Sequence, residues 1–328
     1  MSLIFSVDEI EHQLRVYQQD ISPNEARTSL FNLVVITLEK DTDSLTEAVN
    51  ELMGKRPCRV IIIKTGGMKE SSIHVSARCV EDSEKKQVCI QEIIITSGID
   101  GGGKLPSTWG PLLISGLPTF LWWRDQLPVS AQSLLGLYED HVDRILVDSR
   151  YGGHCQDFFH SYKSQPNPLP LADFAWARLH PLMKLTAGIF NPLELRPQLH
   201  HLSEIELQGG TSAESLLYLL WISGKMEWLG EFSNSHETWK GKNTHGDTVE
   251  FKHSITGELE EDFVIRFKTT SGEDFSITSK QEGYAVCAPG KLPSYTAVFH
   301  IPSLGETLIK EVDHYGSDRV FLESIRVL

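Results

Sequence analysis

Two apolar runs near the middle of the chain set its pattern. Residues 119–123 (TFLWW) and 144–147 (RILV) are short and nearly continuous, as buried strands are. Between them, residues 130–141 read as a helix, with Ser130 able to cap it and Leu134, Leu135 and Leu137 on its apolar side. Strand, helix, strand is a right-handed crossover, the unit from which parallel sheets are built. Upstream, residues 33–38 and 59–64 (RVIIIK) are further strands, and the unbroken apolarity of the second predicts burial on both faces. Residues 43–53 read as a helix capped by Asp43 or Ser44. Residues 73–79 alternate in polarity and are joined by a short connection to the strand 88–96, which predicts an antiparallel pair. Trp122 and Trp123 are neighbours in a strand and must point to opposite faces. At least one is therefore expected to be buried between sheet and helix. Asn32, at the entry to the strand 33–38, is placed to hydrogen-bond a neighbouring loop.

Farther along, the proline-rich stretch SYKSQPNPLP reads as a linker. A helix follows, carried by Ala172, Phe174, Ala175 and Leu179, with Asp173 near its start and Pro181 expected to kink or restart it. Residues 201–207 read as a strand with Ile205 and Leu207 inward, and Thr211 or Ser212 caps a long helix. This alternation predicts a mostly parallel, three-layer α/β domain over residues 1–230. After Gly230 the pattern changes to short strands at 249–255, 263–269, 274–278 and 294–300, then a helix from Ser303. The expectation is a smaller strand-rich α+β module over residues 231–328.

Composition narrows the role. A chain of 328 residues with 40% hydrophobic content can bury a substantial core. Its formal charge of −14 argues against general binding to nucleic acid or anionic membrane, both of which need positive surface. Five cysteines, Cys58, Cys79, Cys89, Cys155 and Cys287, are widely spaced without a CxxC pair, as reduced and mostly buried thiols are. The beginning MSLIFSVDEIE carries acid early, and the apolar runs are too short to span a bilayer, so a cytoplasmic protein is expected.

Candidate chemistry gathers at strand ends. Arg124 and Asp125 follow one strand; Asp148, Ser149 and Arg150 follow another. If the strands are parallel, these residues share the carboxyl edge of the sheet, where open α/β sheets bind ligands. The alternative is a helix cap or a local salt-bridge network. Gly101, Gly102, Gly103 and Lys104 form a glycine-rich turn whose backbone N–H groups could cradle a phosphate, although the spacing matches neither the P-loop nor the dinucleotide fingerprint. His154, Cys155, Asp157 and His160 are metal-capable but lack a zinc spacing, and no metal is expected. HExxH and GxSxG are absent, as is a recognisable triad context, so no catalytic residue is assigned. Trp221 and Trp228 are candidate anchors for a partner.

The order RTSLFNLVV, RPCRVIII, GLPTFLWWR, VDRILVDSR, LADFAWARLHPL and SAESLLYLLWISGKMEWLG resembles the OpcA family, the assembly or activator proteins of glucose-6-phosphate dehydrogenase. The resemblance spans residues 27–230 and departs from the family at Leu182 and Met183, where a Trp-Arg pair is usual. It implies a protein without a cofactor that binds the dehydrogenase and promotes its active oligomer. The rival expectation is an enzyme or sensor that takes a small phosphorylated ligand at the sheet edge.

Overall fold

The computed structural model describes residues 7–21, 29–38, 43–52, 55–68, 72–81, 87–98, 102–231, 238–255, 263–280 and 283–328. In chain order its first elements are α1 (Val7–Ile21), β1 (Phe31–Leu38), α2 (Asp43–Leu52), β2 (Cys58–Met68), β3 (Ser72–Glu81), β4 (Gln87–Gly98), α3 (Pro106–Trp109), β5 (Thr119–Arg124), α4 (Gln132–Tyr138) and β6 (Arg144–Val147). Then come α5 (Cys155–Lys163), β7 (Leu171–Asp173), α6 (Phe174–Ile189), β8 (Leu202–Gln208), α7 (Ser212–Met226), β9 (Leu229–Glu231), β10 (Thr238–Lys242) and β11 (Thr248–Ser254). The last are β12 (Val264–Thr269), β13 (Asp274–Lys280), β14 (Tyr284–Pro289), β15 (Tyr295–Val298), α8 (Leu304–Val312) and α9 (Arg319–Ile325).

The chain forms two compact units, and neither is one continuous stretch. Unit 1 holds Met1–His154, Gln165–Phe174 and Ser303–Ser317; unit 2 holds Cys155–Ser164, Ala175–Pro302 and Asp318–Leu328. The boundary expected near Gly230 therefore lies inside unit 2.

In unit 1 the described strands form a sheet in the order β3-β4-β2-β1-β5-β6-β7. Every neighbouring pair is parallel except β3 and β4, the hairpin expected from sequence. Residues Phe31 to Thr37 of β1 are all buried, as the continuous apolar run requires. Trp122 is fully buried and packs on Phe174 at 5.3 Å, within a cluster that includes Leu33, Leu52, Leu308 and Val312. Trp123 is half-buried on the other face, 6.2 Å from Tyr138. Asn32 is fully buried, donates to the Ile114 carbonyl at 3.1 Å and accepts from the Ile114 N–H at 2.9 Å. It ties β1 to the loop before β5.

Two features of unit 1 differ from the expectation. Residues 171–173, read as the start of a helix, are the last strand of the sheet, and α6 begins at the next residue. Three residues are too few to show a strand period, so the helical pattern that follows masked them. The helix α8, read as part of a C-terminal module, belongs here. Arg144, 1% exposed, donates to the carbonyls of Glu311 and His314 at 2.7 and 2.5 Å and to the Glu311 carboxylate at 2.7 Å. These bonds fasten the end of α8 and the turn after it to β6. Arg56 adds a two-pronged bond to Asp313, and Ser303 at the cap of α8 donates to Glu51 on α2.

In unit 2 the described strands follow the order β15-β14-β13-β12-β8-β11-β10-β9. β8 is parallel to β11, and the other neighbours are antiparallel. Placing β8 with the first sheet was the error of the linear reading. Its residues alternate, with Leu202, Ile205 and Leu207 buried and Glu204 and Glu206 partly exposed. That alternation suits a sheet covered on one face only. The strands β9, β10 and β14 were missed. β10 (TWKGK) buries only Trp239 and Gly241, too little apolar signal to stand out. The helix α6 runs through Pro181 without a break; Leu179 and Leu182 are fully buried beside it, and that packing outweighs the lost hydrogen bond. α7 starts at the expected capping box of Thr211 and Glu214. Asp318 caps α9 and accepts from the Trp176 indole at 2.9 Å.

No helix among the described residues is long and apolar enough to cross a membrane. Cys58 and Cys287 are buried, and burial pushes both thiols up. The side chains of Cys79 and Cys89 lie outside the described residues.

Candidate functional site

The parallel register of unit 1 brings the candidate residues to one edge. Arg124 ends β5 opposite Thr37 of β1, Trp123 stands opposite Val147, and Val147 opposite Asp173. Arg124, Asp125, Asp148, Ser149 and Arg150 therefore share the carboxyl edge, as the sequence suggested. Asp173, which the sequence reading assigned to a helix, joins them at the end of β7.

The groups on this edge are engaged with one another. Asp148 accepts from Arg150 Nε at 2.9 Å and from Arg150 Nη2 at 2.6 Å, with both side chains less than a tenth exposed. It also caps the 3-10 turn 149–151 through the Arg150 N–H. Asp173 takes the Ser149 N–H at 3.0 Å and the Ser149 hydroxyl at 2.6 Å. Asp125 takes Lys104 Nζ at 2.6 Å and the Gln126 N–H at 2.7 Å. Arg124 lies over the Trp122 ring, 4.7 Å from its centroid, and donates to Ser44 Oγ at 2.8 Å. Such paired charges hold loops in place, while a general base needs a lone pair open to its substrate.

The glycine-rich turn resolves in the same direction. Gly101 lies outside the described residues; Gly102 to Lys104 form a 3-10 turn. The Gly103 N–H is taken by Ser97 Oγ at 3.0 Å, and a methyl group at Gly103 would stand 2.5 Å from Ser97 Cβ. This glycine permits a close approach of backbone to strand. The Lys104 ammonium is held by Asp125 and sits 5.2 Å from the Trp123 ring centroid. Its carbonyl accepts from the Tyr138 hydroxyl at 3.1 Å, and burial pushes that phenol up. Two of the donors that would cradle a phosphate, the Gly103 N–H and the Lys104 ammonium, are thus engaged within the fold.

In unit 2 the tryptophans divide. Trp221 is half-buried, 5.5 Å from Tyr218. Trp228, expected at the surface, is 2% exposed and stacks on Trp239 at 6.5 Å. The partner strand β10 that buries it was not recognised in the sequence, and Trp228 has no surface left to anchor a partner. Among the described residues no group of three or more His, Cys, Asp or Glu side chains is placed to hold a metal ion.

The sequence reading missed Ser44, Lys104 as the partner of Asp125, and Asp173. Each lies at least 21 residues from the group it meets. The one local signal was the charged residue that closes each of the runs TFLWWR and RILVD, where burial demands a partner.

Against known proteins, a family model described as the glucose-6-phosphate dehydrogenase subunit N-terminal domain matches residues 49–163. A second, described as the C-terminal domain of the same subunit, matches residues 169–325. A protein of Synechocystis sp. named as the OxPP cycle protein OpcA is 26% identical over 187 residues, 54% of this chain and 38% of that protein. Its namesake from Nostoc punctiforme is 28% identical over 190 residues, 55% of this chain and 40% of that protein. The matches thus take in well under two thirds of these relatives' length. Among solved structures, KijD10, a 3-ketoreductase from Actinomadura kijaniata in complex with NADP, aligns with a TM-score of 0.50 at 8% identity, over 90% of this chain and 94% of that one. At that identity the likeness is one of fold.

Proposed function

The chain belongs to the OpcA family, and on that premise we propose that it is a non-catalytic assembly factor and allosteric activator of glucose-6-phosphate dehydrogenase, acting in the cytoplasm in the oxidative pentose phosphate pathway. The observation that carries the reading is the closed carboxyl edge of the first sheet. At the place where an open α/β sheet usually works, Asp125, Asp148 and Asp173 are each bonded to a neighbour in the same unit. A charged edge satisfied internally supports a role in binding over bond chemistry at that edge. A protein that binds only the active oligomer of an enzyme shifts the assembly equilibrium by mass action, by about 2.7 kcal/mol at a hundred times the dissociation constant.

The test uses the cognate dehydrogenase near its dissociation midpoint. Addition of this protein raises activity and moves the enzyme to a larger species on sizing. At high dehydrogenase concentration the gain shrinks. A gain that persists there points to an effect on the active conformation, and no co-elution together with no change in activity overturns the proposal.

A further inference from the structure

The strand order of unit 1 is that of a cofactor-binding fold. Numbered along the chain, its six mutually parallel strands stand third, second, first, fourth, fifth, sixth. That order binds dinucleotides where it reverses, here between β1 and β5. Such a site receives a pyrophosphate at the N-terminus of the helix after the first strand. A glycine-rich turn gives the backbone room to approach, and the helix end supplies bare N–H donors.

The donor set of this chain does not fit that group. The four residues between β1 and α2 are Glu39, Lys40, Asp41 and Thr42, with no glycine among them. The first residue of α2 is Asp43, an exposed carboxylate in the first turn, and a carboxylate there competes with an anion for the helix end. Ser44, the next residue, accepts from the Arg124 guanidinium at 2.8 Å. Arg124 reaches it from β5, so this one bond spans the reversal point from the fourth strand to the helix of the first. Arg124 is 8% exposed and stacked on Trp122, which fixes it in place. The glycine-rich turn at Gly102 to Lys104 is a poor substitute, since Ser97 takes its Gly103 N–H and Asp125 its Lys104 ammonium.

We infer that unit 1 keeps the framework of a dinucleotide-binding domain but takes no nicotinamide dinucleotide, because the Arg124–Ser44 contact closes the reversal point and Asp43 fronts the helix end. The crevice has become an internal fastening of β5 to α2. The inference is independent of the dehydrogenase reading: a chain that activated the enzyme and also bound a dinucleotide would overturn this inference alone.

The full chain, free of any dehydrogenase, is titrated calorimetrically with NADP⁺, NADPH and NAD⁺ up to about 1 mM, the upper end of ordinary enzyme–substrate constants. The 2′-phosphorylated forms are the stricter probes, because Lys64 near the end of β2 is a cation on the element where such a phosphate would lie. In parallel, NADPH emission is followed on excitation of tryptophan, since Trp122 and Trp123 are beside the edge. The expected result is no saturable heat, no transferred emission and an unchanged thermal midpoint for all three ligands. Saturable binding of any of them overturns the inference. Binding that Arg124→Ala abolishes, in a variant that still unfolds in one transition, would assign Arg124 as a phosphate ligand and overturn it most directly.

Discussion

The two sheets solve different problems with similar strands. In unit 1, β1, β5 and β6 are apolar almost throughout, and both faces are covered. In unit 2, β11, β12, β13 and β14 alternate residue by residue. One of its faces buries Ile205, Phe251, Ile265, Phe267, Phe275 and Ile277. The other carries a lattice of charge: Glu204 between Lys252 and Lys268, Glu206 against Arg266, and Glu250 between Lys240 and Lys252. Ion pairs at that exposure contribute little and are screened by salt, whereas buried aromatic surface contributes several kcal/mol per side chain. The lesson is that a strand's polarity pattern reports how many of its faces are covered, and so where its stability lies.

The sharpest way to break the comparison is Trp122→Ala. It removes a fully buried indole from the unit 1 core and is expected to cost about 3–5 kcal/mol in denaturant unfolding. An unchanged midpoint would mean that this sheet is not held by two-sided burial. Next is Arg144→Ala, which takes from the Glu311 carboxylate its buried guanidinium partner and from the carbonyls of Glu311 and His314 the side-chain donor that reaches them from β6. Breaking such a buried pair costs about 3 kcal/mol, and amide exchange in α8 should rise with it. If α8 stayed protected, its attachment to unit 1 would have to lie in the apolar contacts of Leu308 and Val312.

A third expectation concerns pH. Burial alone would raise the pKa of Asp318, but hydrogen bonds from His180, Trp176 and the backbone of Phe321 and Val320 outweigh it and hold the carboxyl well below its usual range. A folded pKa below the unfolded one stabilises above the unfolded value, near 3.9, and the gain is lost as pH falls toward the folded pKa. The difference in stability between the native chain and Asp318→Asn should therefore be constant from neutral pH to about 4 and shrink below it. A pH-independent difference would reduce Asp318 to a neutral helix cap. The smallest effect belongs to the outer face of unit 2. Lys268→Ala should leave the denaturation midpoint unmoved at physiological salt, and a large loss there would show that the charged lattice holds the sheet after all.

The sequence by itself determined the cores of β1, β2, β4, β5 and β6, the β3–β4 hairpin, the helix starts near Thr211 and Ser303, the burial of at least one of the adjacent tryptophans and the family. These follow from short-range periodicity and capping, or from motifs read in line, and each is set by residues close together in the chain. The tertiary structure decided the rest. It moved β8 to the second sheet, made residues 171–173 a strand and returned α8 to unit 1. It also buried Trp228 under β10 and paired Lys104 with Asp125, Ser149 with Asp173 and Arg124 with Ser44. A strand's own pattern says that it needs a neighbour and a charged strand end says that it needs a counter-group, but which distant residue answers depends on the chain closing loops of twenty to more than two hundred residues. That closure is settled by packing of the whole unit, which no local window contains.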